Sequence, residues 1–490
     1  MVAAALSAPA AAQSLLETFE PAVTEIDLDN GLTIIVVERH DAPVVSFFTY
    51  ADVGSVNEPA GQTGIAHMFE HMAFKGTTSL GSADINAELA AMEAEEEAYL
   101  RFRSARMGGA DEAELEQLET EFRARVDSAK TFLEEAAFDK LVSRNGAVGL
   151  NAFTSADQTA YMYSLPSNKL ELWFALESER FLNPVLREYY TERDVVMEER
   201  RLRTESNPQG RLIEEFLTLA YKAHPYGQPT VGHMSDLESI SRTEAEAFFD
   251  RYYAANNLTI AIVGDVDPAE AQRMAEQYFG RLPRKPDAPA VVTEEPEQLG
   301  ERRVTLVEQA QPLMIIGFHR PSSYDPSNAA FTVLDDVLST GRTSRMHRAL
   351  IESELALFAT SIPAYPGDKY PTLFLLYAAP NQGVSPGSLE AALYDVVDEI
   401  VKNGITREEL DRAKTRARAN FIGGLASNSG LAGQIAQEHA LTGDWRNLFR
   451  KLDAIDHVTA DDVQRVAAET FRIENRTVAQ IRNAVADEDT

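Results

Sequence analysis

The sequence predicts an α+β protein made of two homologous halves, each a mostly antiparallel sheet with helices packed on one face. The chain has 490 residues, which is too long for a single hydrophobic core. Patterns typical of strands and amphipathic helices alternate along it, and three short segments of the first half recur in the same order in the second. We therefore expect the halves at residues 18–270 and 301–485, joined by a linker at 271–300.

Composition limits the classes of function. The formal net charge is -32, which argues against binding to nucleic acid or to an anionic membrane. No apolar run reaches transmembrane length. The chain contains no cysteine, so a bound metal must be held by histidines and carboxylates. Residues 1–12 are small and mostly apolar and resemble the end of a secretory signal, although its basic first part is missing.

The first half begins with strands. EIDLDNGLTIIVVERH and APVVSFFTYADVGS have the alternating β-branched and apolar pattern of strands, and Asp29-Asn30-Gly31 is a hairpin turn signal. A helix is expected from about residue 63. Residues 82–139 are helical in pattern and acidic, with a break at 107–110, which predicts a helical hairpin. We expect this hairpin to be a solvated decoration; recruiting a partner or gating a chamber are the alternatives.

Strands and helices alternate over the rest of the first half. GAVGLNAFTSADQTAYMYSLP predicts two strands, and residues 169–181 predict an amphipathic helix. A further helix is expected at Thr191, because Thr191 and Asp194 have the spacing of a capping box. Residues 240–265 predict a helix followed by a strand. The Pro-rich, polar residues 281–300 support the linker.

Residues 67–71 carry the strongest chemical signal. His67, Glu70 and His71 form H-x-x-E-H, the inverted order of the H-E-x-x-H zinc signature. In a helix the two histidines lie one turn apart on one face, which lets two imidazoles bind one divalent ion. The alternative is a helix that packs Met68 and Phe69 into a core and whose histidines bind nothing.

The second half provides an internal comparison. The matching segments are HMFEHMAFKG with TVLDDVLSTG, TERDVVMEE with TREELDRAK, and NNLTIAI with ENRTVAQI. They place Thr332, Asp335, Asp336 and Lys414 at the positions of His67, Glu70, His71 and Glu199. Because the second copy lacks the histidines, packing alone does not explain them, and metal binding is favoured. The number of residues between a segment and its match is smaller for the second and third pairs than for the first pair. This difference predicts that residues 82–139 are an insertion in the first half only.

A catalytic zinc ion usually has three protein ligands, so two imidazoles leave one to be found. The helix expected from Thr191 offers four candidates, Glu192, Glu198, Glu199 and Glu205. Glu192 and Glu199 are two turns apart and share a face. The spacing alone does not choose between them.

The sequence resembles the pitrilysin/insulinase family of zinc metallopeptidases, the inverzincins, which include the mitochondrial processing peptidases and many bacterial periplasmic members. The segments that carry the resemblance are GIAHMFEHMAFKGT, LNAFTSADQTAY, ERDVVMEE, HPYGQPTVGH and YYAANNLTIAIVGD. The second half matches the family's inactive repeat more loosely. The resemblance implies one Zn²⁺ per chain held by His67, His71 and Glu199, with Glu192 supporting the site, and a periplasmic or secreted bacterial protein.

The resemblance further implies a zinc endopeptidase that hydrolyses unfolded peptides inside a clam-like chamber between the two halves. Glu70, beside the metal and not needed as a ligand, would take a proton from the attacking water and deliver it to the leaving amine. The substrate would add as a further strand to an edge strand formed by Asn151, Ala152, Phe153 and Thr154. An ordinary buried strand is the alternative for Phe153 and Thr154.

The second half departs from the family at two positions. Active single-chain members place an Arg and a Tyr over the substrate carbonyl, where this chain has Ile351 and Phe358. Loss of such a donor costs ~2.7–4 kcal/mol of transition-state stabilisation. We therefore expect the zinc-bearing subunit of a heterodimer whose homologous partner supplies the Arg/Tyr pair. A homodimer with weak or specialised activity and a non-catalytic peptide-binding or scaffold subunit are the alternatives.

Overall fold

The computed structural model describes residues 15–483, and the leader predicted at residues 1–12 lies outside them. Two sheets, one in each half, contain the eleven strands found in residues 15–483. The predicted fold class, α+β with two homologous halves, is confirmed. Within the described residues, no helix is both long enough and apolar enough to span a membrane.

The first sheet has six strands in the order β1-β2-β6-β3-β5-β4. They are β1 Val23–Asp27, β2 Thr33–Glu38, β3 Val44–Ala51, β4 Val148–Thr154, β5 Thr159–Pro166 and β6 Leu258–Gly264. The pair β2 and β6 is parallel, and the other pairs are antiparallel. All the strands predicted in this half are present, and the predicted turn at Asn30-Gly31 joins β1 to β2.

The second sheet repeats this topology. Its strands are β7 Arg302–Glu308, β8 Leu313–Arg320, β9 Ala356–Tyr365, β10 Thr372–Pro380 and β11 Arg476–Asn483. Their order is β7-β11-β8-β10-β9, and only β7 with β11 is parallel. This order matches β2-β6-β3-β5-β4 of the first sheet, with the parallel pair in the same place. The shared topology supports the predicted duplication.

Sixteen helices accompany the sheets between residues 20 and 483, after a short helical segment at residues 15–19. In the first half they are α1 Ile65–Met72, α2 Ile85–Gly108, α3 Glu112–Lys130, α4 Ala137–Arg144, α5 Leu170–Leu182, α6 Tyr189–Arg200, α7 Pro208–Ala220, α8 Met234–Leu237, α9 Arg242–Tyr252 and α10 Pro268–Tyr278. In the second half they are α11 Asn328–Ser339, α12 Pro386–Asn403, α13 Arg407–Gly424, α14 Asn428–Thr442, α15 Asn447–His457 and α16 Ala460–Thr470. Two π-helical turns, Arg201–Glu205 and His347–Ile351, and short 3₁₀ turns lie between them.

Helix α1 carries the H-x-x-E-H motif and lies in the core of the first half. Met68 and Phe69 are buried there, so the apolar residues of the motif do pack as a core helix would. The chain enters the helix through Gly64, whose φ of +91° and contact with the backbone of Val231 leave no room for a side chain. The carboxylate of Glu58 accepts hydrogen bonds from the N–H groups of Gly64 (2.9 Å) and Ala66 (2.8 Å), which satisfies two donors at the start of the helix.

Helix α6 begins earlier than expected, and the predicted capping box at Thr191 is wrong. The helix starts at Tyr189 after Glu188, which has a left-handed φ of 57° and forms no side-chain cap. Thr191 lies inside the first turn, and its hydroxyl is buried without a hydrogen-bond partner. Tyr189 and Tyr190 are fully buried, so core packing rather than capping determines where the helix begins.

The acidic hairpin is formed by α2 and α3, which turn at Gly109 (φ 75°) as the sequence break predicts. The expectation of a solvated decoration is wrong for the base of the hairpin. Tyr99 and Phe122 are each 1% exposed and lie 4.4 and 5.0 Å, ring centre to ring centre, from Tyr190 of α6. The base of the hairpin is therefore part of the first core. In the second half only the turn His347–Ile351 lies between α11 and β9.

The irregular connection between the halves is shorter than the linker predicted at 271–300. Helix α10 extends into that range because Ala271, Met274 and Ala275 are buried in the first core. Regular secondary structure is absent from residue 282 to residue 301, close to the Pro-rich residues 281–300.

Each half lends one helix to the other half's sheet. Ile34 and Val36 of β2 face the helices of their own half, whereas Ile35 and Val37, on the opposite face, pack with Leu431 and Ile435 of α14. The converse contact places Leu212 and Phe216 of α7 against Leu313 and Ile315 of β8. The sequence predicted helices on one face of each sheet and did not predict this exchange.

Candidate metal centre

Helices α1 and α6 bring three candidate metal ligands together. The Nε2 atoms of His71 and His67 lie 3.3 and 3.7 Å from Oε2 of Glu199. One ligand atom from each of the three residues lies within 4.8 Å of the other two. Tetrahedral coordination with bonds of about 2.0–2.1 Å places ligand atoms about 3.3 Å apart. The three side chains therefore fit a zinc ion, and Glu199 rather than Glu192 faces both imidazoles.

Glu192 lies on the other side of His71. Its Oε2 is 3.4 Å from Nδ1 of His71, and its Oε1 accepts a hydrogen bond from Nζ of Lys75 at 2.5 Å. Lys75 also donates to Glu188 at 3.1 Å. When Nδ1 of His71 donates to Glu192, the lone pair of Nε2 remains free to bind a metal. Glu192 is thus placed to orient a ligand rather than to be one.

Glu70 lies beside the three candidate ligands without joining them. Its Oε2 is 3.9 Å from Nε2 of His67, and its side chain is 23% exposed. Burial raises the pKa of Glu70, and the proximity of Thr154 of β4 and of His71 partly offsets the rise. A carboxylate with a raised pKa next to a metal position is suited to accept and return a proton near neutral pH.

The two histidines have opposite electrostatic environments. Burial lowers the pKa of His67 to about 4, and its Nδ1 is buried with no hydrogen-bond partner among the described residues. Hydrogen bonds with Glu192 and Glu199 raise the pKa of His71 to about 9. The carboxylates that stabilise a protonated His71 would also stabilise a divalent cation at this position.

Arg203 and Lys75 belong to this centre and were not identified from the sequence. Arg203, on the π-helical turn after α6, places a guanidinium nitrogen 2.9 Å from Oε1 of Glu199 and is 72% exposed. This contact occupies one carboxylate oxygen and leaves Oε2 facing the histidines. The available signal was spacing, since Lys75 follows His71 and Arg203 follows Glu199 by four residues.

Strand β4, which contains the predicted substrate-binding residues, is an edge strand next to α1. Among the described residues it pairs only with β5. Asn151 and Phe153 are exposed, Ala152 is buried, and Thr154 is half-buried beside Glu70. The exposure of Phe153 (36%) does not fit the alternative of an ordinary buried strand.

The second half has an ion pair at the corresponding position. Asp336 of α11 accepts a hydrogen bond from Nε of Arg416 on α13 at 2.8 Å, and Asp335 accepts one from Ser361 of β9 at 2.5 Å. Lys414, which the sequence comparison aligns with Glu199, donates instead to the carbonyl of Asp456 at 2.8 Å. The two helices also begin differently, because Thr406 caps α13 from outside, whereas Thr191 lies inside the first turn of α6. Residues 15–483 contain one three-residue cluster able to hold a metal, and it is in the first half.

Two family models match the chain. The model described as insulinase (peptidase family M16) matches residues 33–106 and 126–233, and the model described as peptidase M16 inactive domain matches residues 239–417. The predicted insertion, residues 82–139, is therefore longer than the segment that the first model leaves unmatched. That segment is residues 107–125, around the tip of the hairpin.

Comparison with individual proteins agrees with the two family models. A zinc protease of Helicobacter pylori, PqqE, is 28% identical over 465 residues, which cover 93% of this chain and 92% of that protein. The crystal structure of a protease from Helicobacter pylori superposes with a TM-score of 0.78 at 26% identity, covering 94% of this chain and 99% of that one. The periplasmic protease PqqL from Escherichia coli has a TM-score of 0.70 at 18% identity and covers 96% of this chain, but this chain covers only 48% of PqqL. This last likeness concerns the fold alone.

Proposed function

Because the chain belongs to the M16 (insulinase) family of peptidases, we propose that it is a zinc endopeptidase that hydrolyses unfolded peptides. One observation carries the proposal. His67, His71 and Glu199 converge on one point, Glu70 lies next to that point without being needed as a ligand, and an edge strand runs alongside. A metal position, a proton acceptor and a main-chain binding edge are the parts that peptide hydrolysis needs.

Each residue has a defined task in this proposal. Bound zinc would supply a Lewis acid and lower the pKa of water toward ~7. Glu70 takes the proton of the attacking water and passes it to the leaving amine. Glu192 and Lys75 keep His71 in the orientation that presents Nε2. The unpaired side of β4, from Asn151 to Thr154, holds the substrate main chain as an added strand.

We place the chamber that encloses the substrate between two chains rather than between the halves of one. The exchanged helices α7 and α14 interlock the halves, and this chain spans only 48% of PqqL. Ile351 and Phe358 stand where an Arg and a Tyr are expected, so this chain lacks those donors for the oxyanion. A homologous partner that supplies them would complete the enzyme. A homodimer of weak activity is the alternative.

We also place the protein in the bacterial periplasm or outside the cell. The small, apolar residues 1–12 support this, as does the fold shared with PqqL, which is described as a periplasmic protease. A scaffold subunit without activity is disfavoured, because it would have no use for His67, His71 and Glu199 with a base beside them.

The substitution Glu70→Gln tests the proposal. The variant should retain one zinc per chain, because Glu70 is not a ligand, and should lose hydrolysis of an unstructured quenched-fluorescence peptide. Glu198→Gln is the matched control, since Glu198 lies on α6 and its side chain is 59% exposed. Both proteins should be assayed alone and with any co-purified subunit. Normal cleavage by the Glu70→Gln variant would refute the role of Glu70, and a wild-type chain without zinc or without hydrolysis in either form would refute the function.

A further inference from the structure

A loop of the second half is hydrogen-bonded to the turn that ends strand β4. The loop, residues 366–371, joins β9 to β10, and the turn, residues 155–158, joins β4 to β5. Asp157 in the turn is 6% exposed. Its Oδ2 accepts hydrogen bonds from the backbone N–H groups of Asp368 at 2.6 Å and Lys369 at 3.1 Å. One buried carboxylate of the first half thus satisfies two donors of the second.

Two further contacts strengthen this connection. The hydroxyl of Tyr226, a residue 1% exposed, donates to Oδ1 of Asp157 at 2.6 Å and accepts from the N–H of Tyr370 at 3.2 Å. Nζ of Lys369 lies 2.6 Å from both carboxylate oxygens of Asp52, the residue after β3. We call Asp52, Asp157, Tyr226 and the loop 366–371 the clamp.

The clamp leaves no room for a side chain at Gly367. A Cβ atom at this position would lie 2.4 Å from Oδ2 of Asp157 and 2.5 Å from the hydroxyl of Tyr226. Real Cβ contacts are essentially never that short, so any side chain here would displace the carboxylate of Asp157, the ring of Tyr226 or the loop itself. A side chain at Gly367 would therefore disturb the contact between the loop and the turn.

We propose that the clamp positions strand β4 for the peptide substrate. Asp157 is three residues after Thr154, the end of β4, and Thr154 lies beside Glu70. A peptide that adds to β4 is bound through main-chain hydrogen bonds, whose strength depends on the position and direction of the strand. The hydrogen bonds of the clamp end on none of His67, His71 and Glu199. The inference rests on the proposed function and makes Asp157 and Tyr226 positioning residues.

A merely structural clamp would have different consequences from a positioning one. If it only held the halves together, its loss would lower the stability of the whole chain and impair zinc binding and turnover alike. If it positions β4, its loss weakens peptide binding and raises KM, while zinc affinity and kcat at saturating peptide stay the same.

Two glycines of the second half provide a matched test. Gly367→Ala forces the clamp apart, whereas Gly387→Ala, in the first turn of α12, adds a methyl group with no atom within 4 Å. Tyr226→Phe is a milder third variant that removes one hydroxyl and its two hydrogen bonds. Each is made in the active chain for kinetics and in the Glu70→Gln chain for binding of a fluorescein-labelled unstructured peptide, zinc-loaded and with any co-purified subunit.

We expect Gly367→Ala to weaken peptide binding and raise KM about tenfold, and Tyr226→Phe to do so about threefold. These changes correspond to the loss of about one or two main-chain hydrogen bonds between β4 and the peptide. Zinc affinity, measured by competition with a chelator, and kcat should change by less than about twofold, and Gly387→Ala should change nothing. Unchanged peptide binding in both clamp variants, or equal losses of zinc affinity and kcat, would overturn the inference. If Gly367→Ala does not fold, Tyr226→Phe decides. Failure of the zinc-loaded Glu70→Gln chain itself to bind peptide would refute the proposed function instead.

Discussion

Helices α1 and α11 follow equivalent strands, β3 and β8, in sheets of the same strand order, and each faces a second helix and an edge strand. In the first half this arrangement brings His71 and Glu199 to within 3.3 Å of each other. In the second half it brings Asp336 to within 2.8 Å of Arg416. The same place in the fold thus holds a candidate metal centre in one copy and an ion pair in the other. Duplication preserved the backbone arrangement, whereas the chemistry depends on a few side chains.

The hairpin α2–α3 is the largest structural difference between the halves, and Arg187→Ala tests whether its base belongs to the core. Arg187 is 1% exposed and lies 2.9 Å from Glu88, which is 2% exposed. Removing the cation leaves a buried carboxylate unpaired, which should lower the free energy of unfolding by ~3–5 kcal/mol. Urea denaturation measures the loss. The control Arg101→Ala removes an exposed ion pair with Glu121 and should cost less than ~1 kcal/mol. Similar small losses in both variants would show that the base is only peripheral.

The two halves should differ most in zinc affinity when equivalent residues are changed. His67→Ala removes a ligand and should weaken zinc binding by more than ~100-fold, because even residues that only orient ligands contribute 10–100-fold. Thr332→Ala, the equivalent change in the second half, should leave zinc affinity unaltered. A chelator competition titration compares the two. Tight zinc binding by His67→Ala would mean that the metal is held elsewhere.

A smaller effect is expected for the residue that orients His71. Glu192→Gln weakens the contacts with Nδ1 of His71 and with Lys75, and zinc affinity should fall ~10–100-fold. The variant should still bind one zinc ion per chain. If Glu192 were a ligand, the number of zinc ions bound per chain would fall below one. Glu198→Gln on the same helix serves as the control. An unchanged affinity in Glu192→Gln would remove Glu192 from the site.

The smallest effect is expected in the second half. Arg416→Ala breaks the ion pair with Asp336. The side chain of Arg416 is 28% exposed and that of Asp336 is 14% exposed. After allowance for solvent screening, the substitution should lower the free energy of unfolding by about 1 kcal/mol. Zinc affinity and peptide hydrolysis should not change. A large loss of activity would show that this ion pair takes part in function and that the two sites are not independent.

The sequence predicted much of the backbone because strand and helix periodicities are local. The strands, the motif helix and the glycine break of the hairpin follow from such patterns, and the ligand set followed from the resemblance. The exchange of α7 and α14 could not be predicted, because an amphipathic helix does not specify which sheet covers its apolar face. The clamp was also missed, since Asp157 and Gly367 are distant in sequence and meet only in the folded chain. The misplaced start of α6 shows that buried tyrosines can outweigh a capping signal.

Anomalous diffraction at the zinc absorption edge from crystals of the zinc-loaded protein tests the central claim most directly. The account predicts one strong peak per chain, bonded to Nε2 of His67, Nε2 of His71 and a carboxylate oxygen of Glu199, and none between α11 and α13. Glu70 should lie near the peak without bonding to it. A peak with other ligands, a peak in the second half, or no peak in zinc-loaded crystals would contradict the account.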